Sequence, residues 1–292
     1  GRLAEPVQID QRLGYAERLL HLGAVEAAAR VVIATTGKLR LYDAPRCLRP
    51  LREIEAALGR LQAPDVRIQL AIALAELVAE VEGDLDGALA LLAGADALAA
   101  RFEPTQIGLV AGVRGTLLLD AGRIAEARES LLDNLVRERA DGTPVRQLSV
   151  LLDLMGLELL DADPTAALRW VEEGRALGLD RYASYVDFER GSAHALAGRL
   201  DAAMAAFDAA RAGEINTACG VSLGLRALSV CRRVGADEAG WRTWLDGLLA
   251  SGTGRLVADA RALLEGWAAG AVGEVPVGSA LQRVDRLLLA LA

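Results

Sequence analysis

Lysine is almost missing from this chain: Lys38 is the only one among 292 residues, and arginine carries nearly all the basic charge. No Gly-x-x-x-x-Gly-Lys-(Ser/Thr) loop can be built around it, which excludes that nucleotide-binding device from this segment. Histidine is scarce too. With two His and three Cys, no His-x-x-x-His, His-Glu-x-x-His or Cys-x-x-Cys spacing occurs, so neither a metal site nor any other cofactor is expected. Cys47, Cys219 and Cys231 are too few and too far apart for a disulfide framework, which points to a reducing, cytoplasmic setting. Aromatic residues make up only 4% of the sequence, while Ala and Leu supply most of its 53% hydrophobic content. Such a composition favours helices over strands. Long apolar runs are lacking as well: Glu76 and Glu80 punctuate even the richest stretch, Ile68 to Val81. A membrane span needs about 18–20 uninterrupted apolar residues, so a soluble chain without membrane contact is expected. Positive charge is also in deficit. The net charge of −8 and pI near 5.0 argue against a surface that tracks phosphates, and hence against nucleic-acid binding by this segment. The start, Gly1-Arg2-Leu3-Ala4-Glu5, has neither an initiator Met nor a signal-like apolar core, and reads as a piece of a longer chain.

What the sequence does contain is a repeat. The stretch from Arg114 to Ala127, with Arg-Gly-Thr, five residues, Ala-Gly-Arg-Ile, two residues and Ala, returns 76 residues later from Arg190 to Ala203. That spacing is about twice the period of a helix-turn-helix repeat of roughly 34–40 residues. Fainter copies of the turn centre on Gly23 and on Gly83, the latter 39 residues before Gly122.

Helical spacing of apolar residues fills the intervals. Asp10 reads as an N-cap for a helix to Leu22, and a second stripe runs from Val25 to Thr36. Residues 38–63 look irregular around Pro45 and Pro50, with one helix over 50–61. The periodicity then predicts helices over 64–82, 85–101, 105–120 and 125–140. The stretch Asp141-Gly142-Thr143-Pro144 should break the chain before another helix. At Asp161-Ala162-Asp163-Pro164 the glycine turn gives way to an Asp-Pro helix start. Helix pairs 181–197 with 200–212 and 215–234 with 238–250 follow, then 254–269, and a Gly-rich loop leads to a capping helix over 279–291. The expected organisation is therefore an N-terminal repeat and connecting segment (1–63), an array (64–270), and a loop and cap (271–292).

The turn glycines suit an abrupt stop and restart of helix. A small residue five positions later (Ala28, Ala88, Ala127, Ala203) lets paired helix axes approach to about 8–10 Å. Gly115 and Gly191 would do the same on the first helix, with Leu92, Leu131 and Phe207 filling the space behind.

These positions resemble the tetratricopeptide-repeat superfamily, whose units carry a small residue on the first helix, Gly at the turn, Ala early in the second helix and a large apolar residue four further on. Here they read Gly191, Gly198, Ala203 and Phe207, and again Gly115, Gly122, Ala127 and Leu131. Arg114 and Arg190 stand where the family usually has an apolar residue, and most of its aromatics are replaced by Ala and Leu. In these departures the chain is similar to the divergent repeats in sensor regions of bacterial STAND-type signalling ATPases and transcription activators. The resemblance implies an all-α fold, an α-α superhelix forming a right-handed solenoid, whose concave groove holds a protein or peptide partner and performs no chemistry. The rival expectations are a small-molecule effector domain of such a regulator and, third, an enzyme on an α-α superhelix.

Candidate binding residues are few. Asp187, Arg190 and His194 share a face at i, i+3 and i+7, either as a recognition cluster or as an exposed charged stripe. Arg114 and Arg190, joined by Arg226, would line up on successive repeats, either as donors for an acidic peptide or as a ladder of Arg–carboxylate bridges, the reading favoured by 40 acidic residues. Tyr185, with Tyr182 and Phe188, forms a core or a ligand platform. The apolar final helix would pack on the array or on a second copy in a homo-oligomer.

Overall fold

The computed structural model describes residues 5–57, 63–251, 255–268 and 285. Every regular element among them is helical. In order these are α1 (Glu5–His21), α2 (Val25–Ala56), α3 (Pro64–Leu77), α4 (Leu85–Phe102), α5 (Ile107–Asp120), α6 (Ile124–Asp141), α7 (Pro144–Leu160), α8 (Pro164–Ala176), α9 (Ala183–Leu196), α10 (Leu200–Ala212), α11 (Thr217–Val234), α12 (Ala239–Ser251) and α13 (Arg255–Ala268). Among the described residues no helix is long and apolar enough to cross a membrane. The chain forms two compact units, Gly1–Ala121 and Gly122–Ala292.

In the second unit each helix from α6 to α11 packs on the next, and the first helices of successive pairs also touch: α7 with α9, α9 with α11, and α11 with α13. This is the layering of an α-solenoid, in which each pair supplies the surface its neighbour buries. One continuous core results, running from Leu159 and Ala167 through Phe188, Phe207 and Leu228 to Trp241 and Trp267. The crossing of α9 and α10 shows how residue size sets the spacing. A Cβ placed on Gly191 would lie 2.4 Å from two carbons of the Phe207 ring, so the ring occupies the space that the glycine leaves. Ala203 and Phe207 are both fully buried there.

The first unit repeats the plan with α1 to α5, and α3 touches α5 as one first helix touches the next. Its core has two parts, one around Leu51, Ile54, Leu70 and Leu74 and another around Ile68, Leu92 and Val110. Two local expectations need correction here. The backbone is helical from Glu5, so Asp10 lies inside α1, where it pairs with Arg46 rather than capping a helix. And α2 is a single 32-residue helix that runs through Pro45 and Pro50. Each proline removes one i to i−4 hydrogen bond, but Cys47, Leu51 and Ile54 bury a full stripe of the same helix and hold it continuous. The expected positions Leu58 and Leu61, like the loop over 270–278 and the cap positions Leu281, Val284, Leu288 and Leu291, lie outside the described residues.

The turns inside the helix pairs each hold one residue of positive φ, at Gly23, Gly83, Gly122, Ala162, Gly198 and Gly235. Gly198 has φ +71°, its N–H donates to the Ala195 carbonyl (3.1 Å), and the next N–H donates to His194 (2.9 Å), a Schellman closure. Between α7 and α8 the same two bonds form, from Ala162 to Leu159 (3.2 Å) and from Asp163 to Glu158 (2.9 Å). The left-handed position there belongs to Ala162, at φ +56°, the one non-glycine residue of positive φ in the described chain. Asp163 does cap α8, its carboxylate accepting from the N–H groups of Thr165 (3.1 Å) and Ala166 (2.9 Å), with Pro164 at the first helical position. The Asp-Pro start is therefore added to the glycine-type turn and does not replace it.

Candidate functional site

Of the residues the sequence singles out, Arg114 lies in the first unit and the others in the second. Arg114, half-buried on α5, donates to Asp96 of α4 at 2.8 Å. Arg190 pairs with Asp187 one turn back on α9 at 3.0 Å, and its Nε is buried without a partner. His194 sits beside them with its Nδ1 likewise buried and unpartnered. Partial burial, then the charges of Arg199 and Arg190, hold this imidazole below its ordinary pKa. The Tyr185 hydroxyl accepts from the backbone N–H (3.1 Å) and side-chain amide (3.3 Å) of Asn216, which leads into α11. Its ring stands 6.4 Å from that of Tyr182.

Arg226 is completely enclosed, at 1% exposure. Its Nε donates to Asp285 (2.6 Å) and its Nη1 to Ser192 (2.7 Å), with Glu189 at 3.5 Å and the Phe188 ring 4.3 Å beneath the guanidinium. Ser222 donates to the other Asp285 oxygen at 2.8 Å. Two carboxylates around one guanidinium leave an excess of buried negative charge. Burial first, with Asp285 adding to it and Arg226 opposing, pushes the Glu189 carboxyl above the usual range. The same surroundings push the Cys219 thiol up to about 11, so it is not a nucleophile at neutral pH. Each of the three arginines singled out by sequence thus has a carboxylate partner, but that of Arg190, Asp187, lies on its own helix and joins no two repeats. Of these partners, Asp187 was legible from its helical spacing, whereas Asp96, Glu189 and Asp285 carry no sequence signal.

A different region is open. In the first unit α2 and α4 both pack on α3, and between them runs a solvent-open groove of about 830 Å³. Ala71 and Val78 from the α3 side and Leu91, Ala95 and Leu98 from α4 give it an apolar floor. Val78 begins a π-turn, Val78–Glu82, that carries α3 into Gly83, an irregularity that widens the helix at one end of the groove. Gly87, Ala90, Gly94 and Ala97 present almost no side chain along the α4 wall. A Cβ on Gly94 would meet nothing within 4 Å.

The rim is basic. Arg52 is shared between Glu55 (2.9 Å) and Glu82 (3.1 Å), and Asp84, the lone acid of the lining, accepts from the Gly87 N–H at 2.8 Å. Arg67 and Arg101 form no ion pair among the described residues. The Arg67 Nε is shielded from water with no acceptor. Arg101 lies 4.8 Å over the ring of Phe102, which is 48% exposed at the groove's end. A groove is invisible to helical periodicity, since it is made by what two second helices fail to fill. The one available signal was the run of small residues at sevenfold spacing, Gly87 to Gly94 and Ala90 to Ala97.

No protein-family model and no curated protein matches the sequence. Among solved structures the chain is similar to Pseudomonas aeruginosa pilF, at 18% identity over 85% of this chain and 91% of that one, with a TM-score of 0.44.

Proposed function

We propose that this chain is a non-enzymatic binding scaffold that holds a protein or peptide partner, with the α2–α4 groove of the first unit as a docking surface. The observation that carries this reading is the groove itself: an apolar floor under a cationic rim, on a chain whose net charge is −8. Its openness favours a peptide segment over a small-molecule effector, because small ligands are taken up by pockets that enclose most of their surface. The sequence-expected cluster of Asp187, Arg190 and His194 is a second contact region, supported by the buried, unpartnered Arg190 Nε and His194 Nδ1. Placement of the scaffold in a larger bacterial regulator rests on the resemblance of its repeats.

Affinity capture with three baits tests the proposal: the unaltered chain, Gly94→Trp, and Arg114→Ala combined with Arg190→Ala. Tryptophan at 94 projects into empty groove. Specific loss of captured proteins with Gly94→Trp is the expected result. Identical captures by all three baits, each with an unchanged circular dichroism spectrum, overturn it.

A further inference from the structure

Resting on that docking reading, we infer that the occupant of the groove is an amphipathic helix of acidic character, whose carboxylates meet Arg67 and Arg101 and whose apolar stripe lies on the α3–α4 floor. The shape selects a helix. From Gly87 to Arg101 the α4 wall runs for about 21 Å, or roughly four helical turns. Its small residues recur every seven positions, which keeps one flat strip facing a helix laid alongside at a shallow angle. With no Cβ contact within 4 Å at Gly94, a partner backbone can come as close to α4 as two helices of one pair come to each other.

The charges select the sign. Three arginines and one aspartate line the groove. Arg52 and Asp84 are already engaged, by Glu55 and Glu82 and by the Gly87 N–H, so they offer a partner little net field. Arg67, at the start of α3, and Arg101, at the end of α4, fall at the same end of an antiparallel pair. At that end of the groove two arginines without carboxylate partners among the described residues join the lining, one of them with a shielded N–H that has no acceptor. A carboxylate is the group that satisfies both the charge and the donor. The exposed Phe102 ring beside Arg101 adds an apolar anchor at that end. A basic helix would face repulsion at that end and would leave the Arg67 donor without an acceptor.

Fluorescence anisotropy with the full chain tests this inference. The probe is a labelled designed peptide of about 16 residues, four helical turns, with Leu at i, i+4, i+7 and i+11 and Glu pairs in its first and last turns. A twin carries Lys in place of Glu. The acidic probe should bind at least about tenfold tighter than the twin, equivalent to ~1.4 kcal/mol. Arg67→Glu with Arg101→Glu should invert the preference. Gly94→Trp should abolish binding of both, while Gly94→Ala, which keeps the groove nearly empty, should not. Equal binding of the two probes, indifference to Gly94→Trp, or no binding of either overturns the acidic-helix assignment. The docking reading fails separately, when the Gly94→Trp bait still captures the same proteins as the unaltered chain. Binding of the Lys twin alone, lost in Gly94→Trp, retains the docking surface and overturns the acidic class. Concentration-dependent self-association lost in Gly94→Trp would assign the groove to a second copy of the chain and likewise overturn it.

Discussion

Gly191 and Gly94 are both helix-interior glycines with opposite surroundings. At Gly191 the ring of Phe207 already fills the place of a side chain, with carbons 2.4 Å from where a Cβ would stand. At Gly94 that place is empty. The missing side chain is used for packing in the second unit and for access in the first. The same contrast holds for charge: Arg226 is surrounded by Asp285, Glu189 and Ser192, whereas Arg67 and Arg101 form no ion pair among the described residues. A repeat protein can be read this way, by asking at each repeated position whether the chain itself supplies the neighbour. Where it does not, the surface is available to something else.

The largest effect should come from breaking the filled side of this comparison. Arg226→Ala strands two buried carboxylates, and loss of one partner from a buried pair costs about 3–5 kcal/mol. Urea denaturation followed by circular dichroism should show that loss, and Asp285→Ala should show one of similar size. If instead Arg67→Ala costs as much as Arg226→Ala, the contrast between filled and open arginines is wrong. Glu189 adds a pH dependence. Its folded-state pKa is raised, so the native state holds that proton more tightly than the unfolded chain does. The stabilisation from this group is complete below the ordinary Glu range and is lost as pH rises through the raised value. Glu189→Gln should therefore flatten stability across that window and leave the acidic limb unchanged.

Overpacking comes next. Ala203→Trp puts an indole at a fully buried crossing, and Gly191→Ala forces the Phe207 ring to move. Each should cost about 1–3 kcal/mol, with the tryptophan at or above the upper end. Pairing Gly191→Ala with Phe207→Leu should recover part of the loss, since the two residues share one space. A neutral Ala203→Trp would mean that the α9–α10 register is wrong.

These packing positions were legible in the sequence because they are local. The distance from Gly191 to Phe207 along the chain is set by two helices and a turn, and the recurrence of the pattern gives its register. Continuity of α2 was not legible, because two prolines read as breaks when burial of Leu51 and Ile54 is not yet known. Nor were the carboxylate partners of Arg226, since Asp285 lies 59 residues from it along the chain. The groove was the least legible feature, because periodicity reports which residues are buried and says nothing of the space between two helices that fail to meet.

Gly94→Ala reverses the sign of the Gly191 result. In an exposed helix interior with nothing near the new methyl group, alanine should stabilise by about 0.5–1 kcal/mol through its better helix propensity. Thermal melts of Gly94→Ala and Gly191→Ala, measured together, should move in opposite directions. A drop at Gly94 would show that the groove wall is occupied in the free chain.

The smallest effect concerns the one turn that keeps the left-handed geometry without the residue suited to it. Ala162 is exposed and makes the same two carbonyl bonds as its glycine counterparts, so replacing it removes no packing. An L-residue in the left-handed region costs about 1–2 kcal/mol, and the greater freedom of glycine in the unfolded chain offsets roughly 0.5–1 of that. Ala162→Gly should thus stabilise the second unit by a few tenths to about 1 kcal/mol. Gly198→Ala should destabilise it by a similar amount, because the two turns are the same structure with the residues exchanged. Urea midpoints that shift in the same direction for both variants would show that the α7–α8 turn relaxes around Ala162 and is not strained by it.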